Sequence, residues 1–198
     1  MKAYRITPLV ALLAVACGGD TPADDSSNAG PAAQPAAATP AGPAAPTGAV
    51  TVPDWYTVDH EARTVDLSIV AGTSPANNFW NFNGFMRGQI AIVVPEGYTV
   101  NVEFTNRDPN MAHSVGISSE RSNFMTPPAP TPVFAGAITE NPQSMLEATM
   151  PGESESIHFV ADTAGGYSMV CYIAGHAAVG MWVFFDVSAD GEAGVRGL

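Results

Sequence analysis

Apolar and polar positions alternate along much of the chain after residue 63. Val100, Val102 and Phe104 interleave with Asn101, Glu103 and Thr105, a period of two that sets one face of a strand against a core. Similar short runs predict strands over 64–70, 89–94, 98–105, 112–117, 156–161, 167–171 and 181–187. Gly, Pro and Asn punctuate them, and Pro95-Glu96-Gly97 between two runs reads as a hairpin turn. No stretch carries a convincing helical stripe, apart from a short turn near 143–147. About seven to eight strands at this spacing predict an all-β fold, an antiparallel β-sandwich of Greek-key type. The stretch 118–151, rich in proline and polar residues, is expected to loop over one end of it.

The first fifty residues follow other rules. A basic start, Met1-Lys2-Ala3-Tyr4-Arg5, precedes an apolar run over 6–16 that is too short to cross a bilayer and reads as a signal peptide, residues 1–16. The run ends in Leu13-Ala14-Val15-Ala16-Cys17-Gly18-Gly19, which resembles a bacterial lipobox with Cys17 as the lipidated residue. Ala14 stands where a lipobox usually has leucine, and simple cleavage after Ala16 is the alternative. From 17 to 50 the chain is mostly Ala, Pro and Gly without apolar periodicity, the composition of a disordered tether. Residues 51–198 are left as one folded domain, which the tether would hold near a membrane yet free to swing.

Charge narrows the partners. The formal net charge is −12, and loss of Lys2 and Arg5 with the leader takes it to −14. Such acidity argues against nucleic acid and favours a basic redox partner through electrostatic steering. General solubility or a saline habitat would explain it equally.

The chemistry sits near the C-terminus. Cys171, His176 and Met181 are spaced Cys-x4-His-x4-Met. Thiolate and thioether are soft donors that suit Cu(I), whereas imidazole suits Cu(II), so a site that mixes them holds both oxidation states. His113, in Asn110-Met111-Ala112-His113-Ser114-Val115, is the candidate for a fourth ligand from outside the loop. Zinc would leave Met181 unused, since thioether is a poor zinc donor. A two-copper centre would want a second cysteine in the loop, and the chain has only Cys17 besides Cys171. A multicopper oxidase would carry histidines beside the copper cysteine, where Val170 and Tyr172 stand. His158 alternates with apolar neighbours and is expected to face solvent, as is His60. Met86, Met111, Met125, Met145, Met150 and Met169 are dispersed and read as packing residues.

A sandwich with an upstream histidine and a Cys-His-Met loop between its last two strands resembles the cupredoxins. Among them the sulfocyanins look nearest and the rusticyanins next. The resemblance rests on Asn81-Phe82-Asn83-Gly84, on Val94-Pro95-Glu96-Gly97-Tyr98-Thr99-Val100, on Phe104-Thr105-Asn106, on His113-Ser114 and on the stretch from Gly166 to Trp182. It implies one type 1 blue-copper ion with His113, Cys171 and His176 as strong ligands and Met181 as the weak axial one. It also implies an electron carrier rather than an enzyme, monomeric and without a small-molecule substrate, serving a respiratory chain. Expected partners are a cytochrome c or a terminal oxidase, with the domain lipid-anchored on the periplasmic or outer side of a bacterial membrane. A copper chaperone and a nitric oxide-reactive copper protein are the alternatives. The sulfur of Cys171 is expected to accept one or two backbone N–H bonds. Ser114 and Asn106 are placed to tie the His113 segment to the ligand loop, or else serve as simple turn residues. If His176 reaches the surface, the small residues Ala174, Gly175, Ala177, Ala178 and Val179 would form a dry collar around its ring edge.

Overall fold

Most of the predicted strands reappear in a computed structural model that describes residues 42–198; the leader and Cys17 lie outside the described residues. Among the described residues the strands are β1 (Tyr56–Asp59), β2 (Thr64–Ala71), β3 (Ala91–Pro95), β4 (Thr99–Asn106), β5 (Gly116–Ser118), β6 (Ser154–Val160), β7 (Gly165–Val170), β8 (Trp182–Ser188) and β9 (Gly194–Arg196). They form two sheets, ordered β1-β2-β4-β6 and β5-β7-β8-β3-β9.

The sandwich is all-β, as expected, but it is not strictly antiparallel. β2 pairs parallel with β4, and β3 pairs parallel with β8; the other ladders are antiparallel. Pro95-Glu96-Gly97 does turn, with Gly97 at φ 75, yet it links β3 to β4 in the opposite sheet instead of closing a hairpin. The chain therefore visits the second sheet between β2 and β4, and it returns to the first running in its original direction. Local sequence carries no signal for that excursion.

The inner faces explain the alternation. Val65, Leu67 and Ile69 of β2 lie level with Val100, Val102 and Phe104 of β4, and Ile157 and Phe159 of β6 continue the layer. Ile92, Val94, Met169, Val183, Phe185 and Val187 belong to the same buried cluster from the second sheet. Each large side chain removed from water in this way contributes about 1.5–3 kcal/mol. In β8 the run Trp182–Phe185 is buried on both faces, because a second cluster of Ala91, Phe124, Tyr172, Trp182 and Phe184 covers the outer side of the sheet.

Three stretches differ from expectation. β5 starts at Gly116 and not at 112, and His113 is held by an isolated bridge to Thr149. The stretch 118–151 packs beside β5 instead of looping over one end. Ile117 N–H donates to Ala137 O at 2.9 Å, Thr139 N–H to Val115 O at 3.0 Å, and Phe134 stacks on Phe159 at 5.6 Å. Toward the N-terminus, Ala45 packs on the second cluster and Gly48 O accepts from Arg196 Nε at 3.0 Å. The chain is thus laid on the domain some residues before position 51.

Candidate metal centre

The sheet order delivers the predicted donors to one end of the sandwich. β7 and β8 are antiparallel neighbours, so the loop 171–181 joins them at that end, with Cys171 one residue past β7 and Met181 one residue before β8. Cys171 N–H donates to Met181 O at 3.1 Å and Met181 N–H to His176 O at 2.9 Å, which ties the loop across its base. Gly180 is required there. At φ 115 it is left-handed, and a Cβ would run into the Arg87 side chain. β5 lies on the other side of β7, with Gly116 opposite Val170. His113, three residues earlier, is therefore carried alongside Cys171.

Three donor atoms converge. His113 Nδ1 lies 3.2 Å from His176 Nδ1, and Cys171 Sγ lies 3.5 Å from His176 Nδ1 and 3.9 Å from His113 Nδ1. The point equidistant from these three atoms is about 2.1 Å from each, within the range of metal–imidazole bonds and slightly under a metal–thiolate bond. All three residues are buried, and among the described residues they are the one such group of His, Cys and carboxylate donors. Met181, on the same loop, is also buried. The set fits copper: two imidazoles and a thiolate in one shell, with a thioether close by in the chain.

Electrostatics prepare the site. Burial pushes His176 down to about 3, helped by the neighbouring His113. Burial also lowers His113, although Asp108 opposes it. Both imidazoles are consequently neutral with lone pairs to offer. Burial pushes the Cys171 thiol up to about 11 against the pull of N–H bonds from Ser114 and Ile173, so a metal must displace that proton. The two backbone donors match the one or two expected at this sulfur.

Asp108, which sequence reasoning missed, decides the tautomer of His113. Its Oδ2 lies 2.9 Å from His113 Nε2. A carboxylate accepts only, so Nε2 keeps the proton and Nδ1 turns its lone pair toward Cys171. Asp108 Oδ1 accepts from Asn110 N–H at 2.8 Å and Met111 N–H at 3.3 Å. The available signal was a carboxylate five residues before the candidate ligand, in a loop.

Of the two supporting residues named from sequence, Ser114 makes the expected tie to the ligand loop, whereas the side-chain bonds of Asn106 go to Met111, Thr149 and Asp108. Ser114 Oγ accepts from Tyr172 N–H at 2.9 Å and lies 3.7 Å from Cys171 Sγ, which joins the His113 segment to the ligand loop. Asn106 works one step back. Its Nδ2 donates to Met111 O and Thr149 O, both at 2.8 Å, and its Oδ1 accepts from Asp108 N–H at 2.9 Å. His60 and His158 are exposed and stand apart from the cluster. The ring edge of His176 is not exposed: the residue is 1% accessible because Trp80 stacks on it at 3.9 Å and 19°. No sequence pattern announced Trp80.

The profile of the sulfocyanin (SoxE) domain matches residues 54–193. The chain belongs to the sulfocyanin family. Among its relatives in that family and beside it, the sulfocyanin of Sulfolobus acidocaldarius is 33% identical over 133 residues, a match covering 64% of each chain. The present chain thus spans just under two thirds of that relative. The rusticyanin of Acidithiobacillus ferrooxidans is 30% identical over 127 residues, covering 64% of this chain and 77% of its own. A solved structure of rusticyanin from Thiobacillus ferrooxidans aligns at a TM-score of 0.43 and 28% identity, covering 68% of this chain and 87% of that one.

Proposed function

We propose that this sulfocyanin-family protein is a type 1 blue-copper electron carrier with one copper ion held by His113, Cys171, His176 and Met181. The observation that carries the reading is the buried triangle of His113 Nδ1, Cys171 Sγ and His176 Nδ1, with separations of 3.2, 3.5 and 3.9 Å. Copper bound there supplies one-electron Cu(II)/Cu(I) cycling. The chain's own residues do the rest. Asp108 orients His113, Ser114 and the Ile173 N–H stabilise the thiolate, and the paired strands β5, β7 and β8 hold the ligands in place before metal arrives. Met181, buried on the same loop, would add a weak thioether donor to the set, and the chemistry asked of the site is electron transfer and not a catalytic step.

The acidic chain suits a basic redox partner such as a cytochrome c, or a terminal oxidase in a respiratory chain. Lipidation at Cys17 and the stretch that follows would keep the domain at a bacterial membrane, facing the periplasm or the exterior. Loading with Cu(II) and recording visible absorption and EPR tests the reading. An intense thiolate-to-copper band with narrow copper hyperfine splitting is expected. A pale protein with an ordinary tetragonal signal would mean that Cys171 does not bind, and the reading would fall.

A further inference from the structure

His176, midway along the loop between exposed Gly175 and buried Ala177, is itself only 1% exposed. What covers it is Trp80, whose indole lies parallel to the imidazole with centroids 3.9 Å apart. Trp80 is itself only half-buried, whereas Ala174, Gly175, Ala178 and Val179 are exposed. The small-residue collar therefore does not frame a bare imidazole.

The indole is held at a cost. Asn77, Asn78 and Phe79 are three consecutive left-handed residues, at φ 52, 58 and 65, a conformation that costs about 1–2 kcal/mol per residue and that asparagine tolerates best. Trp80 Nε1 is also buried with no hydrogen-bond partner among the described residues. Several bonds hold the turn against that strain. Trp80 N–H donates to Asn77 O at 3.0 Å and Asn77 Nδ2 to Trp80 O at 2.8 Å. Asn81 Nδ2 donates to Ser74 O and Ala76 O, both at 2.9 Å. Arg87 then latches the turn to the ligand loop: Nη2 donates to Asn77 Oδ1 at 3.1 Å, Nε to Val179 O at 3.3 Å and N–H to Gly180 O at 2.8 Å. A strained backbone stabilised from several sides, ending in an aromatic ring laid on a candidate ligand, marks a built feature. The two segments over His176, 72–89 and 171–182, hold a single charged residue, Arg87.

We propose that Trp80 is the outermost group of the electron path: its indole fixes the His176 ring by stacking and is the group that a redox partner meets, in place of the imidazole edge. The proposal rests on the electron-carrier reading. When two copies exchange an electron, one site passes from Cu(I) to Cu(II) and the other from Cu(II) to Cu(I). The indole stays neutral and supplies contact and electronic coupling only.

Trp80→Leu and Trp80→Phe in the full chain test this in two arms. In the metal-free protein the ring protons of His176 should be shifted upfield in the NMR spectrum by the stacked indole, less in Trp80→Phe and not at all in Trp80→Leu. In the copper protein, electron self-exchange measured from line broadening in Cu(I)/Cu(II) mixtures should fall about tenfold in Trp80→Leu, the scale of losing one tryptophan from a contact face. Trp80→Phe should recover most of that rate. Wild-type His176 protons at unshifted positions, or self-exchange in Trp80→Leu at the wild-type rate, would overturn the proposal. Trp80→Phe keeps an aromatic face and decides the matter where Trp80→Leu does not fold, since a His176 shift identical to wild type would count against stacking. Failure of the electron-carrier reading looks different: the wild-type protein itself would lack the blue-copper spectrum while the metal-free NMR arm still reported on the stack.

Discussion

Asp108→Asn alters one atom of a buried carboxylate and leaves its shape unchanged, and the consequence can be followed atom by atom. The Oδ1 position has two backbone donors, Asn110 N–H at 2.8 Å and Met111 N–H at 3.3 Å, so the asparagine oxygen stays there. Its NH2 then occupies the place of Oδ2, 2.9 Å from His113 Nε2. Two donors cannot face each other at that distance, so the imidazole gives up the Nε2 proton and takes one on Nδ1. That is the nitrogen 3.2 Å from His176 Nδ1 and 3.9 Å from Cys171 Sγ, and a metal must now displace its proton as well as that of the thiol. Loss of such a carboxylate partner typically costs about 10–100-fold in metal affinity, or about 1.4–2.8 kcal/mol. Folding stability of the metal-free protein should fall less, by about 1–2 kcal/mol for one charge-assisted bond made neutral. Competition titration of Cu(II) against a chelator measures the first quantity, and nitrogen NMR of the metal-free histidine reads the tautomer. Affinity within twofold of wild type, with the proton still on Nε2, would refute the argument.

Three other outcomes follow from the same contacts. The metal-free protein should lose stability on acidification: His176 is held at about 3 when folded against about 6.5 unfolded, so between these values the unfolded chain binds the extra proton. Stability then rises with pH across that window and is lost as pH falls through it, on the order of 5 kcal/mol at the acid end; urea midpoints at pH 7, 5 and 4 should decline, and less steeply in His176→Gln. Ser114→Ala leaves the buried Tyr172 N–H without its 2.9 Å acceptor, which costs about 1–3 kcal/mol. It also removes a donor from the thiolate, so voltammetry should show a lower reduction potential, and an unchanged one would deny Ser114 that role. Phe134→Ala deletes a core ring stacked on Phe159 and should cost about 3–5 kcal/mol by chemical denaturation, whereas a mobile loop over one end would lose next to nothing.

How much of this was legible depends on the range over which each signal acts. The apolar alternation of β2 and β4 is local and was read to within a residue or two, as were β7 and β8. β1 and β9 are four and three residues long, too short for a period to register. The packing of 118–151 beside β5 was also hidden, because prolines break its pattern and its bonds reach partners far along the chain. Cys171, His176 and Met181 lie within one loop at a spacing that the side-chain chemistry itself makes meaningful, and the candidate His113 needed only a strand to bring it in. Asp108 and Trp80 had no such marker. A carboxylate in a loop and a tryptophan after three irregular residues are ordinary in sequence.

By itself, then, the chain determined most of the longer strands with the apolar face they bury, and which donors it can offer a metal, since these depend on side-chain chemistry and on neighbours a few positions away. The tertiary structure alone decided that two ladders run parallel, that Asp108 sets the tautomer of His113, and that Trp80 and not His176 meets the outside. Each of these depends on sheets crossing and on turns latched across distant segments, as Arg87 latches Asn77 to Val179 and Gly180, and contacts closed over such separations leave no periodic trace in the residues that make them.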